Sequence, residues 1–222
     1  MTTNTTSLKS SPYFSGLNDA ALSSLTRYVS EKKADRGEIL VYEGEPAEAL
    51  FLVISGVVKV FKTSADGKEQ IFGIIRPGET FNDVPVLSGG KNLISAGAMS
   101  PVLLNGIKKK DMETIIKENP QVALNVVHVL SRRVQELVSL VEDFSFRHVS
   151  GRVAKILLEY VLDVSSGRPR LTQQEMAAMI GTAREMVGRS LKSLEKEGAI
   201  RIERNRIVIT NQKTLREMAG IV

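Results

Sequence analysis

The chain has no cysteine and no tryptophan, only two histidines among its 222 residues, and 5% aromatic residues. Each shortage excludes something. Without cysteine there is no disulfide, no thiolate metal site, no cysteine-ligated iron–sulfur cluster and no thiol switch. Two histidines, neither in a segment that reads as a strand, cannot form the His-rich cluster that metal chemistry in a β-barrel requires. No activated nucleophile or pair of carboxylates stands out, so the chain does not read as an enzyme. No apolar run approaches the roughly 18 residues of a membrane span, so a membrane is not an expected partner. The opening Met1-Thr-Thr-Asn-Thr-Thr-Ser7 lacks the basic and apolar regions of a secretory signal. A cytoplasmic location is the expectation. With so few rings, aliphatic side chains must fill the core, and a 42% hydrophobic composition suffices for that.

What the chain does have is a net charge of +5, all of it carried by one end. Residues 1–149 hold 17 basic and 17 acidic side chains, and residues 150–222 hold 13 basic and 8 acidic. That is the electrostatic footprint of a domain that touches phosphates. The same end carries the most informative stretch, Leu171 to Leu194. Thr172 followed by Glu175 predicts a capping box. Met176, Ala177, Met179 and Ile180 then form the buried side of a short helix, and Gly181 ends it. A second helix buries Met186 or Val187, Leu191 and Leu194. Arg184, Glu185, Arg189 and Lys192 remain on its free face, three to four residues apart and hence neighbours. This is the layout of a helix-turn-helix whose second helix, over 183–194, enters a DNA major groove. An arginine can fork to guanine and a carboxylate can accept from the cytosine amine. A carboxylate between two arginines suits base edges better than phosphates. Arg184, Glu185 and Arg189 are therefore the expected base readers on double-stranded DNA.

The rest of the chain reads in order. Residues 1–12 look like an unstructured lead, and Pro12 to Val29 a helical region with Leu17, Leu22, Leu25 and Val29 inward. From Asp35 the period shifts to two. Strands are expected over 39–42, 49–54, 57–61, 70–75, 93–99 and 102–107, separated by Gly- and Pro-containing turns. That pattern predicts a β-barrel or jelly roll. A short helix over 111–118 precedes a long one over about 121–144. On it Val127, Leu130, Val134, Leu137, Val141 and Phe144 are spaced 3, 4, 3, 4, 3. That heptad seam predicts a parallel coiled-coil homodimer. A hinge near 146–149, a helix over 150–164, a loop at 165–169 and a β-hairpin wing over 199–209 complete the chain. The expected class is α+β: an effector barrel over 1–119, a dimerisation helix over 120–145 and a winged helix-turn-helix domain over 146–222.

This order resembles the cyclic-AMP receptor protein/fumarate–nitrate regulator (CRP/FNR) family of bacterial transcription factors. The resemblance rests on Gly37-Glu38, Gly44-Glu-Pro46, Phe51 to Gly56, Pro77-Gly-Glu79 and Gly89-Gly90 in the barrel. In the DNA domain it rests on Gly151-Arg-Val, Leu171 to Glu175, Arg184-Glu185 and Val187-Gly-Arg189. It implies base reading of a TGTGA-like palindrome by Arg184, Glu185 and Arg189. It also implies phosphate contacts near Ser150, Thr172 and Lys192, a role as activator, and RNA polymerase as a partner. Its effector pocket maps onto Phe81, Asn82, Asp83, Asn92 and Leu93 in the barrel, and Arg133 and Leu137 on the long helix.

The pocket departs from the cyclic-nucleotide branch. That branch uses a glutamate for the ribose and an Arg-Ser or Arg-Thr pair for the cyclic phosphate. Asp83 stands at the glutamate position, and Asn82 replaces the glycine before it. Asn92 and Leu93 replace the phosphate pair, and Leu137 and Val138 fall where hydroxyls would meet adenine. Apolar walls cannot satisfy a phosphate or a base edge, and Lys91 alone is a poor substitute for a bidentate arginine. The expected effector is thus a small molecule other than cyclic AMP. Two alternatives stay open. One is a haem-based NO or CO sensor ligated through His128 or His148. The other is a DNA-binding protein that needs no effector.

Overall fold

The computed structural model describes residues 2–161, 171–204 and 206–221. The last part of the helix expected over 150–164, the loop at 165–169 and Asn205 of the wing turn lie outside them.

The first finding is a correction. The expected unstructured lead is a helix, α1 (Thr2–Ser10). Leu8 is its anchor, wholly buried, and the Ser7 hydroxyl accepts from the Asn105 amide at 3.1 Å. One apolar anchor outweighs the weak helix propensity of a Ser/Thr-rich run. A 3-10 turn at Pro12–Phe14 buries Tyr13 and Phe14, and α2 (Asp19–Leu25) follows, capped by Asn18. Leu22 and Leu25 point inward as expected, while Leu17 and Val29 are half-buried.

Eight strands then form two sheets. They are β1 (Val29–Ala34), β2 (Ile39–Val41), β3 (Ala49–Ser55), β4 (Val58–Thr63), β5 (Glu69–Ile75), β6 (Thr80–Phe81), β7 (Ser95–Ala98) and β8 (Val102–Lys108). The strand orders are β1-β8-β3-β6 and β2-β7-β4-β5. β8 pairs antiparallel with both β1 and β3, and β7 with both β2 and β4. This is the jelly-roll barrel that the spaced turn signals predicted. The turn from β3 to β4 requires Gly56. Its φ is +82°, and a Cβ there would lie 2.2 Å from the Pro101 carbonyl oxygen. The charged edge strand β1 and the two-residue β6 carry too little apolar pattern to be foreseen, and the helix α3 (Asp83–Ser88), six residues long, is too short to show a helical period.

After α4 (Lys109–Glu118) comes α5 (Pro120–Phe146), 27 residues long, then α6 (Val149–Val161). The helix-turn-helix consists of α7 (Gln173–Ile180) and α8 (Arg184–Lys196). β9 (Ile200–Glu203) and β10 (Arg206–Ile209) pair antiparallel as the wing, and α9 (Gln212–Met218) ends the chain.

Two compact units result. Residues 1–62 and 72–135 form one, and residues 63–71 and 136–222 the other. The division falls within α5. In the first unit, Leu8, Tyr13, Phe14, Leu22 and Leu25 join Val122, Val126 and Val129 of α5 in one apolar cluster, and the barrel interior forms another. In the second, Val153, Leu157, Met176, Ile180, Val187, Leu191, Leu194 and Leu215 form a third.

Candidate DNA-binding surface and effector barrel

The helix-turn-helix is built as its local chemistry dictates. The Thr172 hydroxyl accepts from the Glu175 N–H at 3.1 Å, and the Glu175 carboxylate accepts from the Thr172 N–H at 2.6 Å. Gly181 closes α7 in the left-handed conformation, φ 63°. α8 then buries Val187, rather than Met186, together with Leu191 and Leu194. Ala178 is buried as well and Met179 only half-buried. This fixes the roll of α8. Arg184, Glu185, Arg189 and Lys192 are all exposed along one side. The predicted base readers are thus presented together on a helix held by three buried aliphatics.

Of the predicted phosphate contacts, Thr172 is exposed at the start of α7 and Ser150 half-buried in the first turn of α6. Capping uses only an acceptor site of the Thr172 hydroxyl, so its proton stays free for a phosphate. The wing adds charges that spacing alone did not single out. Arg206 Nε lies 2.5 Å and Arg201 Nη2 2.9 Å from the Glu203 carboxylate. Hydrogen bonds from Arg206 and then Arg201 hold that carboxyl below its usual range.

At the junction of α5 and α6, Asp143 is buried and receives Arg147 Nε at 2.7 Å and Lys155 Nζ at 2.5 Å. This ion cluster fastens the end of α5 to α6. Neither the heptad spacing nor any motif announced it.

Along α5 the predicted seam separates into two classes. Val127, Val134, Leu137 and Val141 are 50–62% exposed and Phe144 is 39% exposed. Leu130 is half-buried and packs on the core beside Val126 and Val129. Leu124 and Val138, absent from the predicted seam, are exposed too.

The predicted effector pocket is largely committed elsewhere. Phe81 is not a free lining residue: it is buried in the barrel core, stacked on Phe51 with centroids 5.2 Å apart. Asn82 takes a left-handed conformation, φ 62°, and its amide donates to the Ala49 carbonyl. Asn92 is buried, its amide donates to the Tyr42 carbonyl, and its Oδ1 has no hydrogen-bond partner. Leu93 is exposed. Leu137 lies one helical turn beyond Arg133 on α5.

Asp83 and Arg133 are brought together. Asp83 is only 2% exposed and Arg133 27%, and Nη1 lies 2.5 Å from Oδ1. Two residues outside the prediction complete this cluster: the Tyr13 hydroxyl donates to Asp83 at 2.5 Å and the Thr80 hydroxyl at 2.9 Å. Burial, and then the charge of Asp83, raise the Tyr13 pKa. The one available clue was that a buried tyrosine needs a partner for its hydroxyl. His128 and His148, the residues considered for haem, are both exposed, on α5 and in the turn after it.

Known proteins match this arrangement. Residues 31–119 match the cyclic nucleotide-binding domain family, and residues 151–218 the Crp-like helix-turn-helix domain family. The chain is 31% identical to the cyclic AMP receptor protein of Thermus thermophilus, over 96% of this chain and 98% of that one. It is 29% identical to a CRP-like cAMP-activated global transcriptional regulator of Mycobacterium tuberculosis, over 93% and 95%. The solved Thermus thermophilus catabolite activator protein superposes with a TM-score of 0.56 at 30% identity, covering 96% and 100% of the two chains. FixK2 of Bradyrhizobium japonicum shares the fold, with a TM-score of 0.76 at 23% identity over 86% and 96%. Two domains in this order, and a relative at 31% identity along nearly the whole chain, place the protein in the CRP/FNR family of DNA-binding transcription regulators.

Proposed function

We propose that the protein is a homodimeric regulator whose α8 reads a TGTGA-like palindrome, with a barrel that responds to a small effector other than cyclic AMP. The observation that carries this reading is the exposed Arg184, Glu185 and Arg189 edge of α8, set by Val187, Leu191 and Leu194 beneath it. Its spacing is the one implied by the family resemblance. Pairing through α5 places two such helices about 34 Å apart, one DNA turn, on a two-fold site. Ser150, Thr172 and Lys192 position the domain on phosphates, and activation proceeds through RNA polymerase.

Two of the relatives named above carry cyclic AMP in their names, and this barrel argues for a different ligand. Asn92 and Leu93 supply no cation for a cyclic phosphate, and the Asn92 amide is already engaged by the Tyr42 carbonyl. Leu137 and Val138 offer no hydrogen bond to a base.

Binding-site selection on random DNA, with wild type and single alanine variants, tests the DNA reading. Arg184→Ala and Arg189→Ala should each relax preference at one guanine per half-site, by about 1–3 kcal/mol of discrimination. Glu185→Ala should relax the paired position with less loss of total affinity. Unchanged preferences in both arginine variants would show that α8 does not read sequence. Calorimetry with cyclic AMP tests the effector reading, and micromolar binding with enhanced operator affinity would overturn it.

A further inference from the structure

The Asp83 carboxylate is saturated from inside the protein. A carboxylate offers about four acceptor sites. Oδ1 accepts from the Val84 N–H at 3.0 Å and from Arg133 Nη1 at 2.5 Å. Oδ2 accepts from the Tyr13 hydroxyl at 2.5 Å, the Thr80 hydroxyl at 2.9 Å and Arg133 Nη1 at 2.6 Å. Arg133 Nη2 is also occupied, donating to the Thr80 carbonyl and, at 3.2 Å, to the Thr80 hydroxyl. Three stretches of chain meet here: the turn before the barrel, the β6–α3 corner and α5.

Tyr13 is the unusual member. It is wholly buried, and its backbone is pinned on both sides. Its N–H donates to the Ser11 hydroxyl, and its carbonyl accepts from the Asn125 amide at 3.0 Å. The phenol therefore has no room to swing away when a ligand arrives. The raised pKa keeps it protonated, hence a donor to Asp83.

We propose that Tyr13 is a selectivity residue: its hydroxyl, with the Thr80 hydroxyl and the Arg133 guanidinium, fills Asp83 so that the barrel cannot read a ribose hydroxyl. Ribose-bearing ligands are the class excluded. This deepens, and rests on, the reading of the barrel as a site for an effector other than cyclic AMP. A ribose hydroxyl donating to Asp83 would have to displace the Tyr13 hydroxyl and strand it without an acceptor. Losing a hydrogen bond to a charged group weakens binding about tenfold or more.

Tyr13→Phe removes only the hydroxyl and keeps the ring in the core. The probes are adenosine and its dideoxy analogue lacking the 2′- and 3′-hydroxyls, titrated into full-length protein by calorimetry and ligand-observed NMR. Neither carries a phosphate, so the absent phosphate pair does not enter. The wild type should bind both alike or neither, while Tyr13→Phe should prefer adenosine by about tenfold. A wild-type preference for adenosine would overturn the proposal. So would a variant that binds neither nucleoside or does not discriminate. Thr80→Val frees the same oxygen without touching the N-terminal turn and should show the same gain, which covers a misfolded Tyr13→Phe. Operator binding on the same samples reports separately on the DNA reading: its loss in wild type would sink that reading and leave the nucleoside result standing.

Discussion

Replacing Val134 and Val141 of α5 by glutamate should turn a dimer into a monomer. Both valines occupy the same heptad position as Val127, with leucines at 130 and 137 between, and β-branched residues there with leucine at the other seam position favour two parallel strands. Val134 is 59% and Val141 62% exposed. Full burial of such a side chain contributes about 1.5–3 kcal/mol, so covering the exposed fraction contributes about 1–2 kcal/mol each. Four valines, two from each protomer, then contribute about 4–7 kcal/mol to association. Glutamate loses that and sets like charges against each other across the seam. With about 1.4 kcal/mol per tenfold, dimer dissociation should strengthen by about a thousandfold or more. Glutamate is a better helix former than valine, so α5 itself should persist. Leu130 is the wrong position for this test, because it packs partly on the first core and its loss would loosen the barrel. Sedimentation equilibrium measures the dissociation constant, and circular dichroism checks the helix. A variant that stays helical and dimeric, with its constant within about tenfold of wild type, would refute the seam.

Three further outcomes are expected. Lys192→Ala should lower affinity for every DNA sequence and make the salt dependence shallower by about one unit of slope, as measured by binding titrations at several salt concentrations; a sequence-selective loss would assign Lys192 to bases instead. Thr172→Ala should destabilise the DNA domain by about 1 kcal/mol through loss of the cap, and Thr172→Ser should restore most of it in thermal unfolding. The phenol of Tyr13 has a raised pKa in the folded protein, so its contribution is complete below about pH 10, the unfolded value, and declines above it. Denaturant unfolding from about pH 9 to about pH 11 should show wild type losing up to about 1.4 kcal/mol per pH unit relative to Tyr13→Phe, and a constant difference would refute the raised value.

The helix-turn-helix was legible in the sequence because every local signal agreed. The Thr172–Glu175 box, the glycine at 181 and the spacing of Val187, Leu191 and Leu194 each specify the same two helices without help from distant contacts. The barrel strands were legible where a turn glycine bounded an apolar run, as around Gly56. They were not legible where long-range pairing decides: β1 is Val-Ser-Glu-Lys-Lys-Ala, and it is a strand because β8 lies beside it. The helix α1 likewise depends on the burial of Leu8. In the barrel the chemistry of Asp83 was readable, but its state was not. Tyr13 is 70 residues away and Arg133 is 50 residues away in sequence, and no periodicity links them.

A heptad spacing identifies positions on one side of a helix but does not say what covers them. In α5, Val122, Val126 and Val129 are spaced 4 and 3 and are buried in the first core, whereas Val127, Val134 and Val141 are spaced 7 and 7 and remain exposed. Leu130 adjoins both sets. The helix thus carries two apolar faces where one seam was read, one covered by the first core and one exposed. The open face lies in the same stretch of helix as Arg133, whose guanidinium is fixed on Asp83 and Thr80. One turn beyond Arg133 on the same helix, Leu137 sits in the exposed seam. The Arg133 guanidinium thus ties α5 to the β6–α3 corner at the carboxylate that it closes.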